Sequence, residues 1–302
     1  PSTPLDASGG LNINGGRNNR LYRASCTLGD LVVKFAIRDE RDRAGREFGA
    51  LTALRQAGLK IAPAPLLLDC ERYPLPVVVQ TWLEGECLDA VPASDDDWEL
   101  LLRHLVGVHS VTQEAVDADL PTATINAYNV PEGRRLIREY AAAIPPEEQP
   151  DTLRELLRRF EIASLPEWNE KRVALIRLDH NTLNFVRRPE GWLSVDWENS
   201  GWGDPAFDVA NLMTHAAYID VPTVRWEWVA ERYCALVDDD TASVRIWTYY
   251  TIMAVWWAVR TARYLYEMPR GLDARLVEWS EQWLAEVQVK YERYVQFADG
   301  LL

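Results

Sequence analysis

The chain has 302 residues, with 32 Lys and Arg against 46 Asp and Glu, a formal net charge of −14. Hydrophobic residues make up 48% and charged residues 26%, a composition that excludes a disordered chain. The acidic balance excludes a general nucleic-acid binder, which would present a basic field to phosphates.

At about 150 residues per domain, the length predicts two domains or lobes. The four cysteines, Cys26, Cys70, Cys87 and Cys234, form no CxxC pair and no Cys/His cluster. A zinc centre of the usual spacing is therefore not expected, and reduced thiols in a cytoplasmic protein are. The opening PSTPLDASGG carries no apolar core of a secretory signal. The most apolar stretch, residues 249–259, is far shorter than the ~20 residues of a membrane span.

In chain order, a Gly/Asn-rich turn at residues 14–19 precedes a strand at 21–24, a turn at 28–30 and a strand at 31–37 (LVVKFAI). A helix is predicted over 39–56. Its apolar positions Ala44, Phe48, Leu51 and Leu54 share one face, and Gly58 supplies a stop. Pro63 and Pro65 break the chain before a buried strand at 77–79, which leaves through residues 80–85. Beyond this the character is mostly helical. Ser94 and Asp97 form a capping box for a helix running to about His109, read as a structural histidine. Helical patterns return at 131–143 and 151–163, two short strands bracket 173–197, and helices fill 205–299. The prediction is a small sheet-rich lobe joined to a larger helical one, with ligands expected in the cleft.

Four elements carry chemistry. Gly15 and Gly16 lie in a turn whose free N–H groups can hold phosphate oxygens, although an ordinary hairpin turn fits as well. Lys34 sits in an apolar strand, where its charge is costly unless paired, and Glu47 borders the buried face of the next helix. Such a pair can direct an ammonium at nucleotide phosphates. Asp179 ends an apolar strand and Asn184 follows five residues later. An Asp there can orient an alcohol and accept its proton, and the Asn carbonyl can bind a divalent cation. Residues 185–195 read as a strand, turn and strand, so that Asp196 could return to the same cation. Each of the four also fits an ordinary polar turn or solvent-facing residue when taken singly; their order together is the layout of a kinase-type phosphoryl-transfer site.

The segments Gly15-Gly16-Arg17-Asn18-Asn19-Arg20-Leu21-Tyr22, Val33-Lys34-Phe35, Arg46-Glu47, Asp179…Asn184 and Val195-Asp196-Trp197-Glu198 through Gly203-Asp204-Pro205-Ala206-Phe207-Asp208 resemble the aminoglycoside phosphotransferase and choline kinase-like family. The resemblance covers about residues 10–270. It implies an α+β, bilobal protein-kinase-like fold, with a small antiparallel-sheet N-lobe over residues 1–83 and a larger, mainly helical C-lobe over 84–302. It implies transfer of the ATP γ-phosphate to a hydroxyl of a small molecule, with no nucleic-acid or membrane partner. A cationic acceptor is one candidate.

Carried onto this sequence, Asp179 would be the catalytic base, and Asn184 and Asp196 would hold Mg2+. Lys34, steadied by Glu47, would contact the nucleotide phosphates under a turn that includes Gly15, Gly16, Asn18 and Asn19. Gln80, Thr81, Trp82 and Leu83 would be the hinge that offers backbone hydrogen bonds to adenine. Asp204 would cap a helix that begins at Pro205, and Asp208 would brace the catalytic loop. His180, Glu198, Trp256 and Trp257 are candidate substrate contacts. Trp256 and Trp257 are adjacent and cannot share one helix face, and Glu198 or Glu267 could supply a carboxylate to a cationic amine.

The family usually carries His-Gly before the catalytic Asp, where Arg177-Leu178 stand here. Asn181 stands where the family often has His. A nucleotide-binding member with little or no transferase activity is the alternative this departure raises. No Ala-Pro-Glu-like motif follows Asp196, so a protein kinase is not favoured.

Overall fold

A computed structural model describes residues 19–27, 29–272 and 280–302. In chain order the elements are strands β1 (Asn19–Cys26) and β2 (Gly29–Ala36), helix α1 (Arg43–Gln56), strands β3 (Pro65–Asp69) and β4 (Val77–Thr81), and helices α2 (Asp95–His109), α3 (Val130–Ala141) and α4 (Asp151–Ile162). Four short strands follow: β5 (Ala174–Ile176), β6 (Phe185–Val186), β7 (Leu193–Ser194) and β8 (Gly201–Gly203). Helices α5 (Pro205–Thr214), α6 (Thr223–Leu236), α7 (Ala242–Glu267) and α8 (Glu281–Asp299) complete the chain.

The chain separates into two compact units. The first comprises the described residues up to Thr124 together with Ala174–Trp202. Its principal sheet has the order β1-β2-β4-β3, and every neighbouring pair is antiparallel. Directly opposed residues share a face of a sheet. The register pairs Leu21 with Lys34, Lys34 with Val78, and Val32 with Gln80, so these side chains stand on one face. Helix α1 closes against part of that face: Ala36, Ala44 and Val78 form a buried cluster with Phe48 and Leu68 packed on it.

Helix α1 starts at Arg43 rather than near residue 39, because Asp39 accepts the Arg41 N–H in a local turn and Asp42 caps the helix by accepting from the Gly45 N–H at 3.3 Å. Strand β3 was not expected, since Pro65 argued for a break. Pro65 is its first residue and the strand is at the sheet edge, where a missing N–H costs no ladder bond. The capping box of α2 forms as expected between Ser94 and Asp97. Strand β8 was also missed. Its Gly201 admits Pro121 and Ala123 so closely that a Cβ there would lie 2.3 Å from the Ala123 nitrogen.

The second unit comprises Ile125–Val173, the described residues from Gly203 to 272, and 280–302. Helix α7 is buried over most of its circumference, as a helix apolar all round must be, and α3, α4, α5, α6 and α8 pack against it. Helices α3 and α4 fall where the periodicity put them. The helices expected over 205–299 are α5, α6, α7 and α8 among the described residues. No helix among the described residues is long and apolar enough to cross a membrane.

The division of the chain at residue 83 differs from these two units, because residues 84–124 and Ala174–Trp202 pack with the first.

Candidate active site

The sheet face set by the β1-β2-β4 register forms one wall of a cleft in the first unit. Asn19, Leu21, Val32, Lys34 and Gln80 line it from the strands, and Thr81, Trp82, Leu83, Gly85 and Cys87 from the segment that leaves β4. Leu183, Asn184, Val186, Val195 and Asp196 supply the facing side, with Glu47 from α1. The cleft encloses about 910 Å³ of non-atom space, open solvent at its mouth included.

Lys34 is 3% exposed at the centre of this wall. Its ammonium pairs with Glu47 at 2.5 Å, donates to Asp196 Oδ1, and lies 3.6 Å from Glu198. Glu198 also accepts from Asn19 Nδ2 at 2.6 Å and from Arg43 Nη1, and Arg43 Nε donates to Asp39 at 2.8 Å. Burial opposes the charge on Lys34, yet Asp196, Glu47 and Glu198 together raise its pKa above the ordinary value. Burial lifts Glu47 to about 7 against the pull of Lys34, and it also raises Asp196. Burial would lift Glu198 too, but Lys34, Arg43 and the Asn19 hydrogen bond hold it down at about 2.

The second part of the site is the loop after β5. The fully buried Arg177 guanidinium donates to the Asp179 carbonyl from Nε and Nη2, at 2.8 and 2.6 Å, and to the Val195 carbonyl at 3.2 Å. It lies over the rings of Phe185 and Trp197, 4.8 and 5.1 Å from their centroids. Leu178 takes φ 65° and Asp196 φ 64°, in the left-handed region. Asp179 is half-buried, and its carboxylate accepts the Asn181 N–H at 3.1 Å. Its charge contributes to the raised pKa of Asp196.

The expected hairpin is present: Phe185 pairs with Ser194 and Val186 with Leu193, and the Val195 N–H donates to the Asn184 carbonyl at 2.9 Å. It brings Asn184 and Asp196 to the same side of the cleft. A carboxylate and an amide carbonyl are the hard oxygen donors that Mg2+ takes. The three carboxylates Glu47, Asp196 and Glu198, whose ligand atoms lie within 4.8 Å of one another, meet the two cations Lys34 and Arg43. That surplus negative charge suits a divalent cation, so the residues fit the ion.

Gly15, Gly16 and Asn18 fall outside the described residues. His180 is fully buried, its ring stacked on Phe185 at 6.4 Å, rather than at the surface of its loop. Glu198, a candidate substrate contact, is 3% exposed and engaged with Asn19, Arg43 and Lys34. Trp256 packs on Tyr140 at 5.3 Å, and Trp257 stacks on Tyr294 at 5.4 Å. Glu267 pairs with Arg263, whose guanidinium covers Tyr140 at 4.2 Å, and Arg260 covers Tyr264 at 4.0 Å. The protein's own cations thus occupy aromatic faces that could have received an amine.

Asp204 caps α5, accepting the Ala206 N–H at 2.9 Å, and pairs with the fully buried Arg245 at 3.0 Å. Burial raises its pKa to about 6 despite Arg245. Asp208 is fully buried in the first turn of α5. Sequence reasoning missed Arg43, whose signal was only a basic residue at the start of α1. It also treated Arg177 solely as a departure from the family pattern.

In fold the chain is similar to spectinomycin phosphotransferase solved with ADP and spectinomycin, at 13% identity and TM-score 0.62 over 95% of this chain and 91% of that one. It is similar to the macrolide 2′-phosphotransferase of Brachybacterium faecium, at 19% and 0.60 over 92% and 89%. A third likeness is to choline kinase of Streptococcus pneumoniae, at 19% and 0.57 over 94% and 92%. These likenesses define the class, a protein-kinase-like fold with a small antiparallel sheet followed by a mostly helical remainder. The model of the phosphotransferase enzyme family matches residues 10–247, and the chain belongs to that family. No curated protein matches it by sequence.

Proposed function

We propose that the protein is an ATP- and Mg2+-dependent kinase that transfers the γ-phosphate to a hydroxyl of a small molecule. The observation that carries this reading is the Lys34 ammonium held between Glu47 and Asp196 on the wall of a cleft that Asn184 also lines. Lys34 contacts the nucleotide phosphates, and Glu47 keeps its ammonium aimed there. Asn184 and Asp196 hold Mg2+, which when bound neutralises charge on the phosphate oxygens. Asp179 orients the acceptor hydroxyl and accepts its proton. Gly15, Gly16, Asn18 and Asn19 serve the phosphates, and the hinge at Gln80, Thr81, Trp82 and Leu83 receives the base. Residues 1–83 serve the nucleotide and 84–302 the chemistry and the acceptor.

Asp204 fixes the start of α5, and Asp208 has a structural role in its first turn. A cationic acceptor suits the net charge of −14. It would be met by carboxylates rather than by Tyr140 or Tyr264, which Arg263 and Arg260 already cover. The alternative, nucleotide binding without transfer, drew on Arg177-Leu178. Leu178 adopts the positive φ that a glycine would take, and this supports a working loop.

The test is phosphate transfer from labelled ATP to a panel of hydroxylated amines, amino acids, sugars and macrolides, comparing wild type with Asp179→Asn. Transfer that drops by orders of magnitude in the variant supports the assignment. Equal turnover removes Asp179 as the base. ATP-dependent thermal stabilisation with no product on any acceptor favours the binding module.

A further inference from the structure

The wall of the cleft carries a buried side-chain amide, that of Gln80. Gln80 is 4% exposed, and its Oε1 has no hydrogen-bond partner among the described residues. A buried amide oxygen without a donor is unfavourable, so such a group inside a cleft points to a ligand that supplies one. Gln80 lies opposite Val32 of β2, two residues along β4 from the Val78 that faces Lys34. It therefore lies on the Lys34 side of the sheet, at the entrance to the hinge segment. Leu21, Val32, Leu183 and Val186 give this part of the cleft apolar walls suited to a flat ring.

Two N–H groups of the hinge backbone are already engaged. The Thr81 N–H donates to the Ala64 carbonyl at 3.1 Å, and the Trp82 N–H to the Asp30 carbonyl at 2.9 Å. The Thr81 hydroxyl accepts from the Ala64 N–H at 2.9 Å. Side chains on the cleft wall can therefore add to what the remaining backbone groups read. Asn19 is committed to Glu198 through its Nδ2, and Arg23 covers the Trp82 ring at 4.3 Å.

We propose that the Gln80 side-chain amide reads the N6/N7 edge of the donor nucleotide's base and makes the site selective for adenine over 6-oxopurines. This rests on the reading of the cleft as a nucleotide site. A carboxamide presents an acceptor and a donor in one plane. Adenine offers the matching N6–H donor and N7 acceptor. Guanine and hypoxanthine offer O6 and N7, two acceptors, and leave Oε1 facing a carbonyl oxygen. The selection is of purine class and is separate from the phosphate contacts of Lys34.

The experiment is calorimetric titration of the full chain with ATP, ITP and 7-deaza-ATP at fixed Mg2+, on wild type and Gln80→Leu. ITP alters the 6-position without adding the guanine 2-amino group, and 7-deaza-ATP removes only the N7 acceptor. The wild type is expected to bind ATP roughly tenfold tighter than ITP and several-fold tighter than 7-deaza-ATP, with the three levelling to within about twofold in the variant. Equal binding of ATP and ITP by the wild type, or an undiminished preference in Gln80→Leu, overturns the proposal. The 7-deaza-ATP comparison on wild type stands whether or not the variant folds. If none of the three nucleotides binds the wild type, the nucleotide reading of the cleft fails and the proposal falls with it. Binding with lost base preference overturns only the role of Gln80.

Discussion

Arg177 holds the backbone of Asp179 from the side: two guanidinium nitrogens donate to the Asp179 carbonyl, and one of them also reaches the Val195 carbonyl, 3.2 Å away. The residue before Asp196 and the residue proposed as base are thereby tied to a single planar group. The rings of Phe185 and Trp197 hold that group in place.

Arg177→Lys is therefore expected to lower kcat about tenfold, the worth of one charge-assisted hydrogen bond in the transition state, because a single ammonium cannot bridge both carbonyls. The KM for ATP should stay within about twofold, since Arg177 is not part of the cleft lining. Steady-state kinetics on the accepted substrate separates the two. A raised KM at unchanged kcat would place Arg177 in nucleotide binding instead.

Leu178 has φ 65°, a conformation that costs a non-glycine residue about 1 kcal/mol. It is also 6% exposed, so truncation loses packing whatever replaces it. Leu178→Ala keeps the backbone strain and loses the side chain, whereas Leu178→Gly loses both. Urea denaturation should show the glycine variant more stable than the alanine variant by about 1 kcal/mol, the reverse of the usual order.

Glu198 faces both Lys34 and Arg43 while 3% exposed. Glu198→Gln leaves two buried cations short of a partner and should destabilise the fold by about 3 kcal/mol. Asp196→Asn should cost less, because the Asp196 side chain is 27% exposed and water can replace it. Chemical denaturation of the two variants, with Arg43→Met added to Glu198→Gln, measures the coupling. Recovery of part of the loss in the double variant is expected.

His104 is buried between the Trp192 carbonyl and the Ser194 hydroxyl, each at 3.0 Å. A carbonyl only accepts, so Nδ1 carries the proton and Nε2 accepts from Ser194. Burial, followed by the charge of Arg177, pushes its pKa down from 6.5 to about 3. Between those values the unfolded chain binds a proton that the folded chain does not. Stability should fall as pH drops below about 6.5, by about 1.4 kcal/mol per unit. Asp204, lifted to about 6, acts in the opposite direction over part of this range. The difference between wild type and His104→Gln in urea midpoints at pH 7, 6 and 5 isolates the histidine, and parallel curves would remove it as an acid-sensitive group.

Much of the fold was legible in local pattern. Helix α1 shows its apolar face in Ala44, Leu51 and Leu54, α2 its capping box, and β2 its apolar run broken by Lys34. Strand β3 was not legible, because Pro65 reads as a breaker unless the strand is known to lie at an edge. In the candidate site, the pairing of Lys34 with Glu47 and the return of Asp196 beside Asn184 followed from strand, helix and hairpin geometry. The place of Glu198 did not. Two residues beyond Asp196, it read as an acid free to meet substrate.

By itself the sequence determined most of the elements in their order and the residue types at the site, because helical and strand periodicities and turn residues act over a few positions. Only the tertiary structure decided which charges meet. Asn19 and Arg43 reach Glu198 from 179 and 155 residues away, and Lys34 reaches Asp196 across 162. Ion pairs are selected by distance in space and by loss of water, neither of which is written in a local pattern. The net charge of −14 gave no hint that the cleft's acids would be gathered around one buried lysine.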